Sequence, residues 1–198
     1  MISKQFSAAC ERNSAPILEK LRETFADRRK ILEIGSGTGQ HAVFFAKHLP
    51  HLIWQSSDLA RNHPGILAWL RESGLANVRP PLLLDMRTHD WPSENFDAVF
   101  SANTCHIMAW PDVLNMFAGI GQLLPAGGKA AVYGPFKYQG RFTSAGNAQF
   151  DATLRAQASH MGIRDIEAIT AAANAAGLVL AHDYDLPANN RLLIWHRI

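Results

Sequence analysis

The sequence predicts an α/β fold: a seven-stranded, mostly parallel sheet with helices on both faces. Short apolar runs alternate with segments of helical period along the chain. The first run leads straight into a glycine-rich turn, GSGTG at residues 35–39. The last two runs, 178–186 and 191–196, are joined only by PANN at 187–190. So short a link allows no crossover, and the pair is expected to be antiparallel.

In chain order, Ser14 is placed to cap a first helix with Pro16 near its start and Ile17, Leu18, Leu21 and Phe25 on one face. Residues 30–34 form strand one, and 41–49 a helix. Strand two, 52–57, ends at Asp58, and the helix 64–72 stops at Gly74. Strand three, 82–84, ends at Asp85; Pro80 and Pro81 before it suit the start of a strand or a sheet edge. Strand four is 97–102. From Asp112 a helix repeats Val113, Phe117, Ile120 and Leu124 at helical spacing. A turn at 125–128 leads to strand five, 129–133, and an alanine-rich helix spans 165–176. Between them lies a long polar connection, 134–164, with one expected helix at 147–158. Connections of this length commonly carry function or a lid.

With 198 residues, no linker and no shift in composition, the chain reads as one domain. Its net charge of +2 disfavours a nucleic-acid partner. Apolar residues, at 47%, are enough to build a core. No signal-peptide pattern or membrane-spanning run is present, so a cytoplasmic protein without a membrane partner is expected, monomeric or homodimeric. Cys10 and Cys105 suit no disulfide framework, and Cys105 reads as a small buried apolar residue. The nine histidines show no metal-ligand spacing, so no metal is expected.

The chemistry is concentrated in ILEIGSGTGQ, residues 31–40. Glycines let the backbone turn sharply and let a ligand approach, and the helix behind them offers free N–H groups. Gly35, Gly37 and Gly39 run G-x-G-x-G, and Gln40 denies the G-x-G-x-x-G spacing of a nicotinamide-dinucleotide site. Glu33 stands in the strand where a carboxylate accepts protons from backbone or ligand amines. Asp58, 23 residues beyond Gly35, is placed to accept a ribose diol, and Asp85 to receive an adenine amino group.

Taken in order, EIGSGTG, Asp58, Asp85, FDAVFSAN and LLPAGGKAAVYG resemble the motif set of class I S-adenosylmethionine-dependent methyltransferases over residues 30–196. That family has a Rossmann-like seven-stranded fold whose seventh strand is antiparallel. The resemblance implies S-adenosylmethionine as cofactor. It places Gly35, Ser36, Gly37 and Gly39 against the methionine part, Asp58 and Leu59 at the ribose, Asp85 and Met86 at the adenine, and Asn103 near the sulfonium. A narrower likeness is carried by ERN-x-x-PIL, CHIMAWPD, YGPF, NAQFDATLR, GIRD and PANN. These resemble a small subfamily of bacterial and animal methyltransferase-like proteins with no assigned substrate. Met161 stands where that subfamily usually has Trp, and Ala126 interrupts its proline–glycine turn.

His106 follows strand four, where an acceptor should meet the methyl group. It is read either as a general base or as a residue lining the pocket. Trp110 and Tyr133 are candidates for the acceptor site or for the core. Residues 1–29 are expected to cover the cofactor, with Arg12 pairing its carboxylate and Asn13 beside it, or else to be a frayed terminus. Asn189 and Asn190 make a turn, and the likeness adds a pocket role for Asn189. The expected activity is methyl transfer to a small molecule by positioning in line, under a lid formed by 134–164. The alternatives are a non-catalytic S-adenosylmethionine-binding protein and a protein methyltransferase working with a partner.

Overall fold

The computed structural model describes residues 4–88 and 90–198. Its centre is strand β1 (Lys30–Ile34), flanked by β2 (Ile53–Asp58) and β4 (Ala98–Ala102), with β3 (Val78–Leu83) outside β2 and β5 (Lys129–Gly134) outside β4. These five strands are parallel. The sheet is completed by β10 (Asn190–Arg197), antiparallel to both β5 and the outermost strand β9 (Leu178–Leu186). The strand order is therefore β3-β2-β1-β4-β5-β10-β9.

Alternation along each strand divides the core in two, because successive side chains point to opposite faces. Ile31, Phe100, Ala131 and Ile194 face one layer, packed by α1 (Ala8–Thr24), α2 (Gln40–His48) and α3 (His63–Ser73). Leu32, Val99, Val132 and Trp195 face the other, packed by α4 (Trp110–Leu123) and α6 (Ile166–Ala175). With both faces covered, β4 and β5 read as nearly continuous apolar runs.

Most boundaries fall within two residues of expectation, and three features depart further. Ser14 does not cap α1. The helix starts at Ala8, Ser7 caps it by accepting from Cys10 N at 3.3 Å, and Pro16 lies inside it. Ser14 Oγ instead donates to Cys10 O at 2.6 Å. The helix begins early because Ser7 is tied to α2: its N–H donates to Gln40 Oε1, and its carbonyl accepts from Gln40 Nε2 at 3.3 Å. Strand β3 takes in Pro80 and Pro81, which an edge position tolerates. The connection 134–164 holds α5 (Ala145–Gln157) and also a small sheet. Its strands are β6 (Phe136–Tyr138), β7 (Arg141–Phe142) and β8 (Arg164–Asp165), in the order β7-β6-β8. Among the described residues, no helix is long and apolar enough to cross a membrane.

The seam between α4 and α6 depends on Gly121. A Cβ there would lie 2.1 Å from Ala176 O. Alanine would gain about 1 kcal/mol of helix propensity, but a backbone oxygen at that distance cannot yield without moving α6. Gly121→Ala is expected to lower stability by about 1–3 kcal/mol, seen as a thermal midpoint several degrees lower. Gly146→Ala, whose Cβ would meet nothing closer than Ser144 Oγ at 3.7 Å, should stay within about 0.5 kcal/mol of wild type.

Candidate functional site

The carboxyl ends of β1–β5 open into a cavity of about 1240 Å³. It lies where strand order reverses between β1 and β4, the place where open α/β sheets bind ligands. Its floor at one end is the turn from β1 to α2. All three glycines of that turn have positive φ, yet they do different work. A Cβ on Gly35 would meet Thr104 Cγ2 at 2.5 Å, and one on Gly39 would meet Ile66 Cα at 2.9 Å, so both are required by packing. Gly37 has nothing within 4 Å: the space above it is an open cradle that only a missing side chain leaves free.

Two carboxylates hold this turn. Beneath it, Glu33 accepts from Ser36 Oγ at 2.8 Å and from Trp54 Nε1 at 3.1 Å. Burial raises its pKa to about 7, against the lowering effect of those two hydrogen bonds, and Asp58 adds to the rise. Beside it, Asp58 Oδ2 accepts from Gly37 N at 2.7 Å. Asp58 Oδ1 accepts from Leu59 N at 2.7 Å and Asn62 Nδ2 at 2.8 Å. A carboxylate offers about four acceptor positions, so one remains, on Oδ2. Farther along, Asp85 is gripped by Arg87, whose Nη2 lies 2.5 Å from Oδ2, and its pKa falls to about 2. Arg87 is mostly exposed and easily displaced.

The other end of the cavity lies between the segment following β4 and the insertion. Asn103 sits at φ 59°, a conformation Asn tolerates. Its Oδ1 and His106 Nδ1 converge on Gly134, 3.9 and 3.8 Å from where a Cβ would stand. His106 is buried with Phe150 edge-on, ring centroids 5.4 Å apart. Burial first, then the charge of Arg164, lower its pKa to about 4. The imidazole is therefore neutral at pH 7. Asn147 and Asn189 line this end as well, and Asn147 Nδ2 donates to Asn189 O at 3.0 Å.

Most of the residues expected from sequence meet at this cavity. Arg12 and Asn13 line it from α1; Gly35, Ser36 and Gly37 from the turn; Asp58 and Leu59 from the end of β2. Asp85 and Met86 follow from β3, Asn103 and His106 from the loop after β4, and Asn189 from the last turn. Four do not line it. Glu33 is beneath the turn, and Gly39 caps α2 against α3. Tyr133 is buried in the sheet, its carbonyl accepting from Asn103 N at 2.8 Å, and burial pushes its hydroxyl up to about 12. Trp110 is held under the Arg164 guanidinium, 5.9 Å from the ring centroid. These positions alternate with, or neighbour, true lining positions, and periodicity alone does not separate the two.

Sequence reasoning missed His41, His160, Phe150 and Asn147, all of which line the cavity. His41 is almost wholly buried, its Nε2 has no hydrogen-bond partner among the described residues, and burial lowers its pKa to about 4. Its signal was its place two residues after Gly39. Asn147 and Phe150 lay within NAQFDATLR, a segment noticed only for its likeness.

The fold matches solved structures of methyltransferases. An O-methyltransferase family protein from Burkholderia thailandensis superposes with a TM-score of 0.81 at 20% identity, over 96% of this chain and 57% of that one. The structure described as PigF with SAH gives 0.78 at 18%, over 96% and 64%. The mitomycin 7-O-methyltransferase MmcR gives 0.78 at 16%, over 91% and 54%. The chain thus spans between about half and two thirds of the length of these structures, and the likeness is one of fold. The family described as "Protein of unknown function (DUF938)" matches residues 4–197; the chain belongs to the DUF938 family.

Proposed function

We propose that the chain transfers a methyl group from S-adenosylmethionine to a small-molecule acceptor. The observation that carries this reading is the open cradle over Gly37. It is continuous with the carboxylates of Asp58 and Asp85 on one side and with Asn103 and His106 on the other. The residues fit the cofactor: the cradle admits its methionine part where a Cβ would intrude, and the remaining acceptor position on Asp58 suits a ribose hydroxyl. The Gln40 that breaks the dinucleotide spacing is engaged with Ser7 and holds α1 over the site.

When bound, S-adenosylmethionine supplies an electrophilic methyl group on a sulfonium. In this reading Glu33 and Asp58 keep the turn in shape, and Leu59 sits beside the ribose. Asp85, released from Arg87, would accept from the adenine amino group, and Met86 would flank the adenine. Arg12 and Asn13 cover the carboxylate end, and residues 1–29 act as a cover segment. Asn103 borders the sulfonium. His106, neutral at pH 7, accepts a hydrogen bond or a proton from the acceptor. The insertion 134–164 forms a roof that excludes water and holds the acceptor in line. The segments CHIMAWPD and NAQFDATLR, which carry the finer likeness to methyltransferase-like proteins, both contribute side chains to the acceptor end.

Calorimetric titration tests the cofactor. Wild type should bind S-adenosylmethionine and S-adenosylhomocysteine at micromolar concentration and should not bind NAD. Asp58→Asn keeps the shape of the side chain and should weaken binding by about 10- to 100-fold, the worth of a hydrogen bond to a charged group. Wild type that binds neither sulfur compound would sink the reading.

The same buried groups make stability depend on pH. His41 and His106 bind fewer protons folded than unfolded between about pH 4 and 6.5. Their contribution is present above 6.5 and is lost as pH falls through that window, by about 3 kcal/mol each. Glu33 has the opposite sign: its contribution is present below 4.5 and is lost as pH rises to 7. Two histidines outweigh one carboxyl, so the thermal midpoint should fall from pH 6.5 to 4. In His106→Gln it should fall less steeply, and in Glu33→Gln more steeply. A wild-type midpoint flat across this range would contradict the burial of both histidines.

A further inference from the structure

From the side chains that face the space beside His106, we infer that the acceptor is bound and methylated as an uncharged molecule, one with an apolar body and an O–H or N–H group to donate. The inference rests on methyl transfer at this cavity and names the substrate class of that site.

The charges of the cavity are sorted away from this space. Asp58 stands at the glycine turn, and Arg61 and Arg87 both act on Asp85 beyond it. The charge of Asp112 also falls on Arg87, and Arg12 stands on α1. Among the described residues that line the space between the loop after β4 and the insertion, there is no Asp, Glu, Lys or Arg. Its walls are Ile107, Pro135, Met161 and Phe150, the last edge-on to His106. Its polar groups are amides and imidazoles. Asn147 spends both side-chain N–H bonds, on Thr143 Oγ1 at 2.9 Å and Asn189 O at 3.0 Å, so only its Oδ1 is left, an acceptor. Asn103 Oδ1 and His106 Nδ1 converge over Gly134. Two amide oxygens and a ring nitrogen suit a neutral O–H or N–H group.

The charges behind these walls are occupied. Arg164 does not line the cavity. Its Nε donates to Cys105 O at 3.0 Å, and its Nη2 to Met108 O at 2.5 Å and His160 O at 2.8 Å. Asp151 pairs with Arg155 at 2.7 Å and also accepts from Ile163 N at 2.7 Å. The surroundings favour neutral forms as well. The buried Cys105 thiol is pushed up to about 12 and the His106 imidazole down to about 4, burial leading in both. A field of one sign would move an acid and a base in the same direction; opposite movements are the mark of lost water. Arg164 lowers both, and at the thiol burial outweighs it. An ion of either sign brought here gives up its hydration and meets no counter-charge, whereas an uncharged molecule gives up far less. In the reaction the acceptor's lone pair forms the bond to carbon, as the carbon–sulfonium bond breaks and leaves its electron pair on sulfur. The proton shed by the acceptor atom passes to His106 and on to solvent.

The test uses three naphthalene derivatives of nearly one shape: the carboxamide, uncharged; the carboxylate, an anion; and the carboxamidine, a cation. Each is titrated calorimetrically, at about pH 8 where free imidazole is neutral, into the full chain saturated with S-adenosylhomocysteine. Binding of that compound is measured first; its absence would strike at the methyl-transfer reading and not at this one. With it bound, the carboxamide should bind, and each ion should bind at least about tenfold more weakly. Met161→Lys sets a cation in the wall and should raise the affinity of the carboxylate relative to the carboxamide by about tenfold. The affinity of that variant for S-adenosylhomocysteine reports whether it is folded. No binding of the carboxamide, either ion binding within tenfold of it, or an unmoved ranking in folded Met161→Lys would overturn the inference. The wild-type ranking decides the question even if Met161→Lys does not fold.

Discussion

The site depends on a buried carboxylate under a turn in which three of the five residues are glycine. Glu33 is the acid of the central strand, and it reaches the turn through Ser36 Oγ and the sheet through Trp54 Nε1. Three glycines at positive φ give up more backbone freedom on folding than any other residues would. Local contacts must offset that loss. Ser36 N donates to Ser57 O, Ser57 N to Ser36 Oγ, and Gly37 N to Asp58 Oδ2, so the turn is stitched to the end of β2. A single chain of hydrogen bonds joins β1, the turn and β2, and Glu33 is its anchor. The cost is a carboxyl held in a place that disfavours its charge, as its raised pKa shows.

The same constraint explains why acids and amides sort along the cavity. Strand order places β3 and β2 to one side of β1 and β4 and β5 to the other. Residues at successive strand ends therefore line up across the cavity: Asp85, Asp58, the glycine turn, Asn103, Pro135. The acids Asp58 and Asp85 fall on the β2 and β3 side. Asn103, His106, Asn147 and Asn189 fall on the side covered by the insertion. No side chain has to reach far, because the sheet does the spacing.

How legible this was in the sequence follows from how local each signal is. Strand β1 and the turn were readable to the residue, because apolar run, acid and glycines fall within ten positions. Asp58 was readable because it ends β2, and Asp85 because it stands just past the end of β3. The start of α1 was not. Pro16 looks like a first-turn proline, whereas contacts with Gln40, far along the chain, carry the helix past it. The small sheet β7-β6-β8 was also hidden, since strands of two or three residues leave no periodic trace. Whether Tyr133 and Trp110 face the cavity or the core was left open by the sequence for a related reason. In an alternating strand a one-residue step moves a side chain to the other face, and a helix-opening tryptophan can turn to the roof as readily as to the cavity.

The insertion is fastened to the sheet by groups that sequence gives no reason to pair. Arg164 ties its far end to the loop carrying His106, and Asp151 folds Ile163 back onto α5. Asn147 bridges from α5 to the carbonyl of Asn189, in a turn where Ala188 and Asn189 both hold positive φ. Two adjacent non-glycine residues in that conformation are strained, of order 1–3 kcal/mol each, and persist only where neighbours impose them. Here the imposing neighbour is the roof itself. The strain in the last turn, the seating of α5 and the setting of His106 are thus parts of one arrangement. Loosening any of them would release the others, so this end of the cavity is shaped by contacts within the fold itself.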